Sequence, residues 1–405
     1  MNSTIELENR YCAPNYHPLP VVLVRGEGVH VWDDEGNKYV DMMSAYSAVS
    51  HGHANPRLVK VLSAQAATLS IVSRAFHTDK LAGFLERACE LTGQDMALPM
   101  NTGSEAVETA LKAARKWAYE VKGVDRDRAE IIACEGNFHG RTIAIVSLSS
   151  DPGYQAGFGP FSSGMRTIAY GDPAALEAAI DKNTAAFLVE PIQGEGGINI
   201  PPDGYLRRCA EICRANNVLL ICDEVQTGLG RTGKLLACEH DDVKPDGLIL
   251  GKALGGGILP VSLFLAKREV MEVFQAGTHG STFGGNALAA AVGLEALNIL
   301  VEEKLVERSR EMGAYFLGLL QTIKSPLVSD LRGKGLFIGM EIDPALATAR
   351  EVCERLMKKG LLSKETHETV VRFAPPLIVN REQLAWASDQ IRDVLADMDR
   401  VAKAS

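Results

Sequence analysis

From about residue 50 the chain alternates short, uninterrupted apolar runs with stretches of helical spacing, and few folds accept that pattern. The apolar runs fall at 96–99, 130–134, 143–148, 186–189, 218–222 and 248–250. Helical spacing covers 56–69, 80–92, 104–121, 174–180, 205–216 and 270–275. A strand buried on both faces loses the polar–apolar alternation of a half-exposed one, and intervening helices are the crossovers that parallel strands need. The expectation is an α/β fold with a mostly parallel central sheet, in a large domain over 50–285. Beyond it, a long apolar helix leads to a helix at 302–323, a strand pair near 335–342, a helix at 345–359, a strand at 370–373 and a helix at 381–398. This reads as a smaller α+β domain, 286–405. Residues 1–49 hold strand-like runs at 21–24 and 29–32, with a hairpin turn at Asp33-Asp34-Glu35-Gly36-Asn37. They are too few to bury a core, so this segment is expected to pack against the smaller domain and the active site.

Composition narrows the function classes. With 46% hydrophobic residues the 405-residue chain has ample apolar surface for a large core. Its net charge of −9, with no Lys/Arg-rich run, argues against nucleic acid as a partner. The most apolar long stretch, 283–300, carries Asn286, Glu295 and Asn298 and reads as a buried helix, not a membrane span. The first residues, MNSTIELENRYCAP, lack the apolar centre of a secretory signal, so the expected location is the cytoplasm. Eight cysteines are too sparse for a disulfide scaffold. Cys209 and Cys213 share a helix face but no second ligand pair follows, and His51-Gly52-His53 lacks a third ligand, so no metal site is expected.

In open parallel sheets ligands bind beyond the carboxyl ends of the strands, and three polar features stand there. Asn101-Thr102-Gly103-Ser104-Glu105 follows one apolar run and opens a helix; its free amides suit a phosphate, or serve only as an ordinary cap. Asp223-Glu224 follows the run 218–222, where a carboxylate needs a cation or donor unless it is solvated. Lys252 follows the run 248–250, where desolvation lowers an amine's pKa towards that of a nucleophile, unless its head reaches water. Together the three make the smallest socket for pyridoxal 5′-phosphate (PLP): an anion cup, a carboxylate for the pyridine nitrogen and a lysine for the aldehyde. Gly228-Leu229-Gly230-Arg231-Thr232-Gly233 matches a dinucleotide fingerprint, but no clear helix follows it. It reads as a flexible loop lining a site. An NAD-dependent oxidoreductase built on it, or a non-catalytic binding protein of the same fold, are the competing classes.

The blocks TGSEAVETALKAARKW, GNFHGRT, EPIQGEGG, ICDEVQTGLGRTG, GKALGGG and HGSTFGGN, in this order, resemble the class III (subgroup II) aminotransferases of PLP fold type I. Within that family NYHPLP, SAYSAV, SRAF and RFAPPL resemble the ornithine δ-aminotransferase branch. The resemblance implies transfer of the δ-amino group of L-ornithine to 2-oxoglutarate, giving L-glutamate 5-semialdehyde, which cyclises to pyrroline-5-carboxylate, and glutamate. Such a reaction links arginine, proline and glutamate metabolism. It implies that Lys252 holds the cofactor and moves the proton, while Asp223 pairs with the ring nitrogen. Phe138 and Val225 would flank the ring, Gln226 would meet its 3′-oxygen, and Gly103 and Ser104 would bind the phosphate. Ser281 and Thr282 would reach that phosphate from a neighbouring subunit, so a homodimer with shared active sites is implied. Tyr16 and Arg141 would hold the α-carboxylate of ornithine, and Tyr46 would shape its pocket. Arg372 would bind glutamate or 2-oxoglutarate, Glu195 would mask Arg372 when ornithine is bound, and Glu190 would support the pocket. His139 after Phe138, with Ser104 and Val107, follows the acetylornithine branch instead. An acetylornithine or 4-aminobutyrate aminotransferase is therefore the alternative.

Overall fold

The computed structural model describes residues 3–404, and three sheets organise them. Strands β1 (Leu23–Glu27), β2 (His30–Asp33) and β3 (Lys38–Asp41) form an antiparallel meander. The Asp33 carboxylate closes its second turn by accepting from the Glu35 and Asn37 backbone N–H groups and from the Tyr39 hydroxyl. The central sheet has seven strands: β4 (Met96–Met100), β5 (Glu130–Cys134), β6 (Met165–Ile168), β7 (Thr184–Val189), β8 (Leu219–Asp223), β9 (Gly247–Leu250) and β10 (Ser262–Ala266). They lie in the order β4-β10-β9-β8-β7-β5-β6, and β10 alone runs against its neighbours. A third sheet contains β11 (Val328–Lys334), β12 (Phe337–Ile342), β14 (Lys364–Thr366) and β15 (Val370–Phe373), and the short β13 (Leu361–Leu362) pairs with β3.

Every residue of β7, β8, β9 and β10 is buried, as their unbroken apolar sequences require when helices cover both faces. One hydrophobic cluster is continuous from this sheet into the C-terminal part, joining Leu250 to Leu300, Phe316, Phe373 and Leu384. No helix among the described residues is long and apolar enough to cross a membrane.

Three expectations need correction, and two strands, β6 and β10, have no counterpart among the apolar runs. The run 143–148 is not a strand: Ile143–Val146 is a single helical turn with Ile143 exposed and Ile145, Val146 and Leu148 buried. An apolar run of that length carries no period that separates strand from helix. The sheet position beside β5 is taken by β6, whose half-buried edge sequence has too few apolar residues to stand out. β10 was hidden between glycines and a charged turn. The helix expected over 270–275 is one turn, Arg268–Met271. The loop 228–233 is not a free, flexible loop, since all six residues are buried.

Candidate active site

The parallel strands of the sheet deliver their carboxyl ends to one edge, and five of them carry polar groups there. β4 leads into Asn101–Ser104, β5 into Phe138 and His139, β7 into Glu190, β8 ends on Asp223, and β9 is followed by Gly251 and Lys252. A single cavity is lined by Gly103, Ser104, Phe138, Glu190, Glu195 and Asp223, and also by Val225, Gln226 and Lys252. Nine residues singled out from the sequence thus meet in one place.

The helix Gly103–Trp117 begins with a full capping box. The Glu105 backbone N–H donates to Thr102 Oγ1 at 3.2 Å, and the Thr102 N–H donates to Glu105 Oε2 at 2.8 Å. Of the four amides left open at a helix start, that box satisfies two and leaves those of Gly103 and Ser104. A side chain at 103 would press on Val225 at 3.0 Å, and one at 140 would lie 2.3 Å from Ser104 Oγ. Glycine at both positions keeps the backbone open to an anion at the positive end of the helix. The cap is therefore complete, and the Gly103 and Ser104 amides of the same turn stay open to another acceptor.

Asp223 is buried at the end of β8. Its Oδ1 accepts from the Val225 N–H at 3.1 Å, and its Oδ2 lies 2.7 Å from His139 Nδ1. The His139 side chain is wholly buried and its other ring nitrogen has no partner. Burial lowers the imidazole pKa, but Asp223, by hydrogen bond and charge, and Glu190 outweigh that and raise it. The sequence marked His139 only as a feature of another branch; its contact spans 84 positions, which no local pattern reports. Glu190 accepts from the Phe138 N–H at 2.9 Å and the Gly194 N–H at 3.2 Å. Burial, with Asp223 nearby, pushes its carboxyl up to about 7 against the pull of His139.

Lys252 opens a short 3-10 turn with φ of +43°, a left-handed conformation that costs a non-glycine residue about 1–2 kcal/mol. Strain of that kind persists where the surroundings fix it, which turns the side chain into the cavity here. Burial lowers the pKa of its amine, although Glu195, Asp223 and Glu190 act in the opposite sense.

Across the cavity, Arg372 from β15 is buried and forms a two-pronged ion pair with Glu195: Nη1 meets Oε1, and Nη2 meets Oε2 at 3.2 Å. Gln226 Nε2 donates to the same carboxylate at 3.0 Å, while Gln226 Oε1 is buried without a partner. Burial raises the Glu195 pKa, yet Arg372 and Lys252 hold it down at about 2, so its carboxylate stays ionised. The Tyr46 ring lies 4.9 Å from the Arg372 guanidinium. Arg141 stacks over Tyr154 at 4.0 Å and lies 5.4 Å from Phe138, beside a second cavity lined by Tyr154, Glu195 and His367. Tyr154 had no signal in the sequence beyond being aromatic.

Six singled-out residues do not line this cavity: Arg372, Tyr46 and Arg141, which stand beside it, and Tyr16, Ser281 and Thr282. Tyr16 is exposed on the N-terminal segment. Ser281 Oγ accepts from Asn101 Nδ2 at 2.8 Å, next to the anion cup of its own chain, and Thr282 is exposed. Among the described residues no group of His, Cys, Asp or Glu has the arrangement of a metal site.

Residues 11–395 match the class-III aminotransferase family, and the chain belongs to it. The ornithine aminotransferase of Macrococcus caseolyticus is 57% identical over 392 residues, 97% of this chain and 98% of that one. The solved ornithine aminotransferase of Toxoplasma gondii, with PLP at partial occupancy in its active site, superposes with a TM-score of 0.97 at 45% identity, covering 99% of this chain and 95% of that one. An acetylornithine aminotransferase from Elizabethkingia anophelis superposes with a TM-score of 0.89 at 47% identity, covering 97% and 98%.

Proposed function

We propose that this chain is a PLP-dependent ornithine δ-aminotransferase that passes the δ-amino group of L-ornithine to 2-oxoglutarate. The residues present fit the cofactor: two open amides at a helix start, a buried carboxylate backed by an imidazole, and a desolvated lysine share one cavity. PLP, when bound, supplies an electron sink that acidifies the substrate carbon bearing the transferred amine. Lys252 would hold it and would move the proton at that carbon as general acid and base. Asp223, held by the His139 ring, would pair with the pyridine nitrogen. Gly103 and Ser104 would hold the phosphate, Phe138 and Val225 would flank the ring, and Gln226 would meet the 3′-oxygen. Glu190 fixes Phe138 through its backbone N–H.

The observation that carries the substrate reading is the Glu195–Arg372 pair facing the lysine. A site that must take a cationic diamine and then a dicarboxylate needs a cation that can be covered and uncovered, and this pair supplies it. Arg372 binds the α-carboxylate of glutamate or 2-oxoglutarate once Glu195 swings away; Tyr16 and Arg141 hold the α-carboxylate of ornithine, with Tyr46 shaping the pocket between. Ser281 and Thr282 complete the phosphate site of a second copy, which makes the working form a homodimer. The division into 1–49, 50–285 and 286–405 then separates the donor strap, the cofactor sheet and the part carrying Arg372. Eight free cysteines fit the reducing cytoplasm as its place of work.

The acetylornithine reading keeps one supporting feature, the Phe138-His139 pair. Steady-state rates with L-ornithine, N-acetylornithine and 4-aminobutyrate as donors separate the two. Ornithine should have the highest kcat/KM by at least about tenfold; N-acetylornithine in first place would overturn the substrate assignment.

A further inference from the structure

Tyr16 sits on a segment that has little to hold it. Residues 12–20 form no helix or strand beyond the frayed end of the first helix, and their backbone bonds are local, such as Asn15 N–H to Ala13 O at 2.8 Å. The long-range hydrogen bonds that tie this segment down, among the described residues, come from Arg350. Its Nη1 donates to the His17 carbonyl at 3.0 Å and its Nη2 to the Pro18 carbonyl at 2.9 Å. These are the two residues after Tyr16.

The guanidinium is itself held. Arg350 lies in the first turn of the helix Ala349–Lys358; its Nε donates to Glu354 Oε1 at 2.8 Å, and its Nη1 reaches Glu365 Oε1 at 3.5 Å. Glu365 belongs to β14, which pairs with β15, and Lys364 stands opposite Arg372 in that register. The next residue, Thr366, donates its hydroxyl to the Glu195 carbonyl. One arginine therefore joins the Tyr16 segment to the hairpin that supports the Glu195–Arg372 pair.

We propose that Arg350 is a positioning residue of the donor site, holding the backbone at His17 and Pro18 so that Tyr16 stands ready for the α-carboxylate of the amine donor. This rests on the assignment of Tyr16 to that carboxylate. A loose segment must be ordered each time a donor binds, and ordering costs roughly 1–2 kcal/mol per backbone residue fixed. A segment fixed beforehand removes that cost from binding. Two carbonyls gripped by two prongs need the planar fork of arginine; the ammonium of lysine satisfies them less well. The acceptor, bound through Arg372, gains nothing from the clamp.

The test uses the holoenzyme in separate half-reactions, ornithine in one and glutamate in the other, with Arg350→Met, Arg350→Lys, Tyr16→Phe and the Met/Phe double variant. Arg350→Met should raise the half-saturating ornithine concentration about tenfold and leave that for glutamate within about twofold. Arg350→Lys should fall between, and the double variant should add little to either single one. Limited proteolysis within residues 12–20 should quicken in Arg350→Met. An unchanged ornithine value in Arg350→Met beside a raised one in Tyr16→Phe would overturn the clamp alone. Equal losses for ornithine and glutamate would make Arg350 a general structural residue and overturn it too. An unchanged value in Tyr16→Phe would overturn the Tyr16 assignment, and the clamp with it.

Discussion

Asp223 does not face the cavity alone, and much of the site's electrostatic behaviour follows from its partner. With His139 lost, the carboxylate keeps only the Val225 N–H at 3.1 Å. His139→Phe should lower kcat about tenfold and weaken cofactor binding, whereas His139→Asn, which can still donate, should keep more of both. Kinetics and an equilibrium cofactor titration measure the two effects; wild-type values in His139→Phe would refute the role. Glu190 gives a pH dependence with a definite sign. Its carboxyl is raised to about 7, so its contribution to stability is complete below about 4.5, the unfolded value, and is lost as pH rises through 7. The full loss amounts to about 3–4 kcal/mol by linkage. Urea midpoints between pH 5 and pH 8 should fall less in Glu190→Gln than in the wild type; equal slopes would show that the carboxyl titrates normally. Lys252, Asp223 and the 103–104 turn were legible because each directly follows an apolar run. His139, Tyr154 and Arg350 were not, because their meaning lies in contacts made far along the chain.

Among the elements, those with a strong period or a clear cap were readable. The strands Glu130–Cys134 and Val370–Phe373 lie where the apolar pattern puts them, and the helix Pro56–Thr68 starts at an asparagine cap followed by proline. Ile143–Val146 and β6 were misread because short runs, or edge strands with mixed residues, carry too little pattern. One element could not be foreseen at all. Ser44, Ala45, Tyr46 and Ser47 all have positive φ, between 47° and 74°, forming a left-handed turn that sets Tyr46 against Arg372. No glycine announces it. Each such residue stores about 1–2 kcal/mol of strain. Replacing exposed Ala45 by glycine should therefore stabilise the fold relative to Ala45→Val, by about 2 kcal/mol between the two. Denaturant midpoints read this directly, and a valine variant as stable as the glycine one would deny the turn.

At the scale of the whole molecule, the central sheet and the C-terminal part are joined by a buried cation. Arg231 is completely buried in the loop once suspected of binding a dinucleotide. It donates to the Leu336 and Pro375 carbonyls at 2.9 and 2.6 Å and to Ser50 Oγ at 3.0 Å. Ser50 follows the left-handed turn at 44–47, Leu336 immediately precedes β12, and Pro375 lies just beyond β15, the strand that carries Arg372. Burial lowers the guanidinium pKa to about 9, a cost that its three partners must offset. Arg231→Met would strand buried carbonyls, and unfolding should become easier by about 3–5 kcal/mol. A midpoint close to that of the wild type would mean the loop is not the tie between these parts. The account as a whole rests on Lys252. Borohydride reduction of the purified holoenzyme, followed by digestion and mass analysis, should find one modified peptide, carrying the reduced cofactor on Lys252. A cofactor mass on another lysine, or an unmodified Lys252 in fully active enzyme, would contradict it.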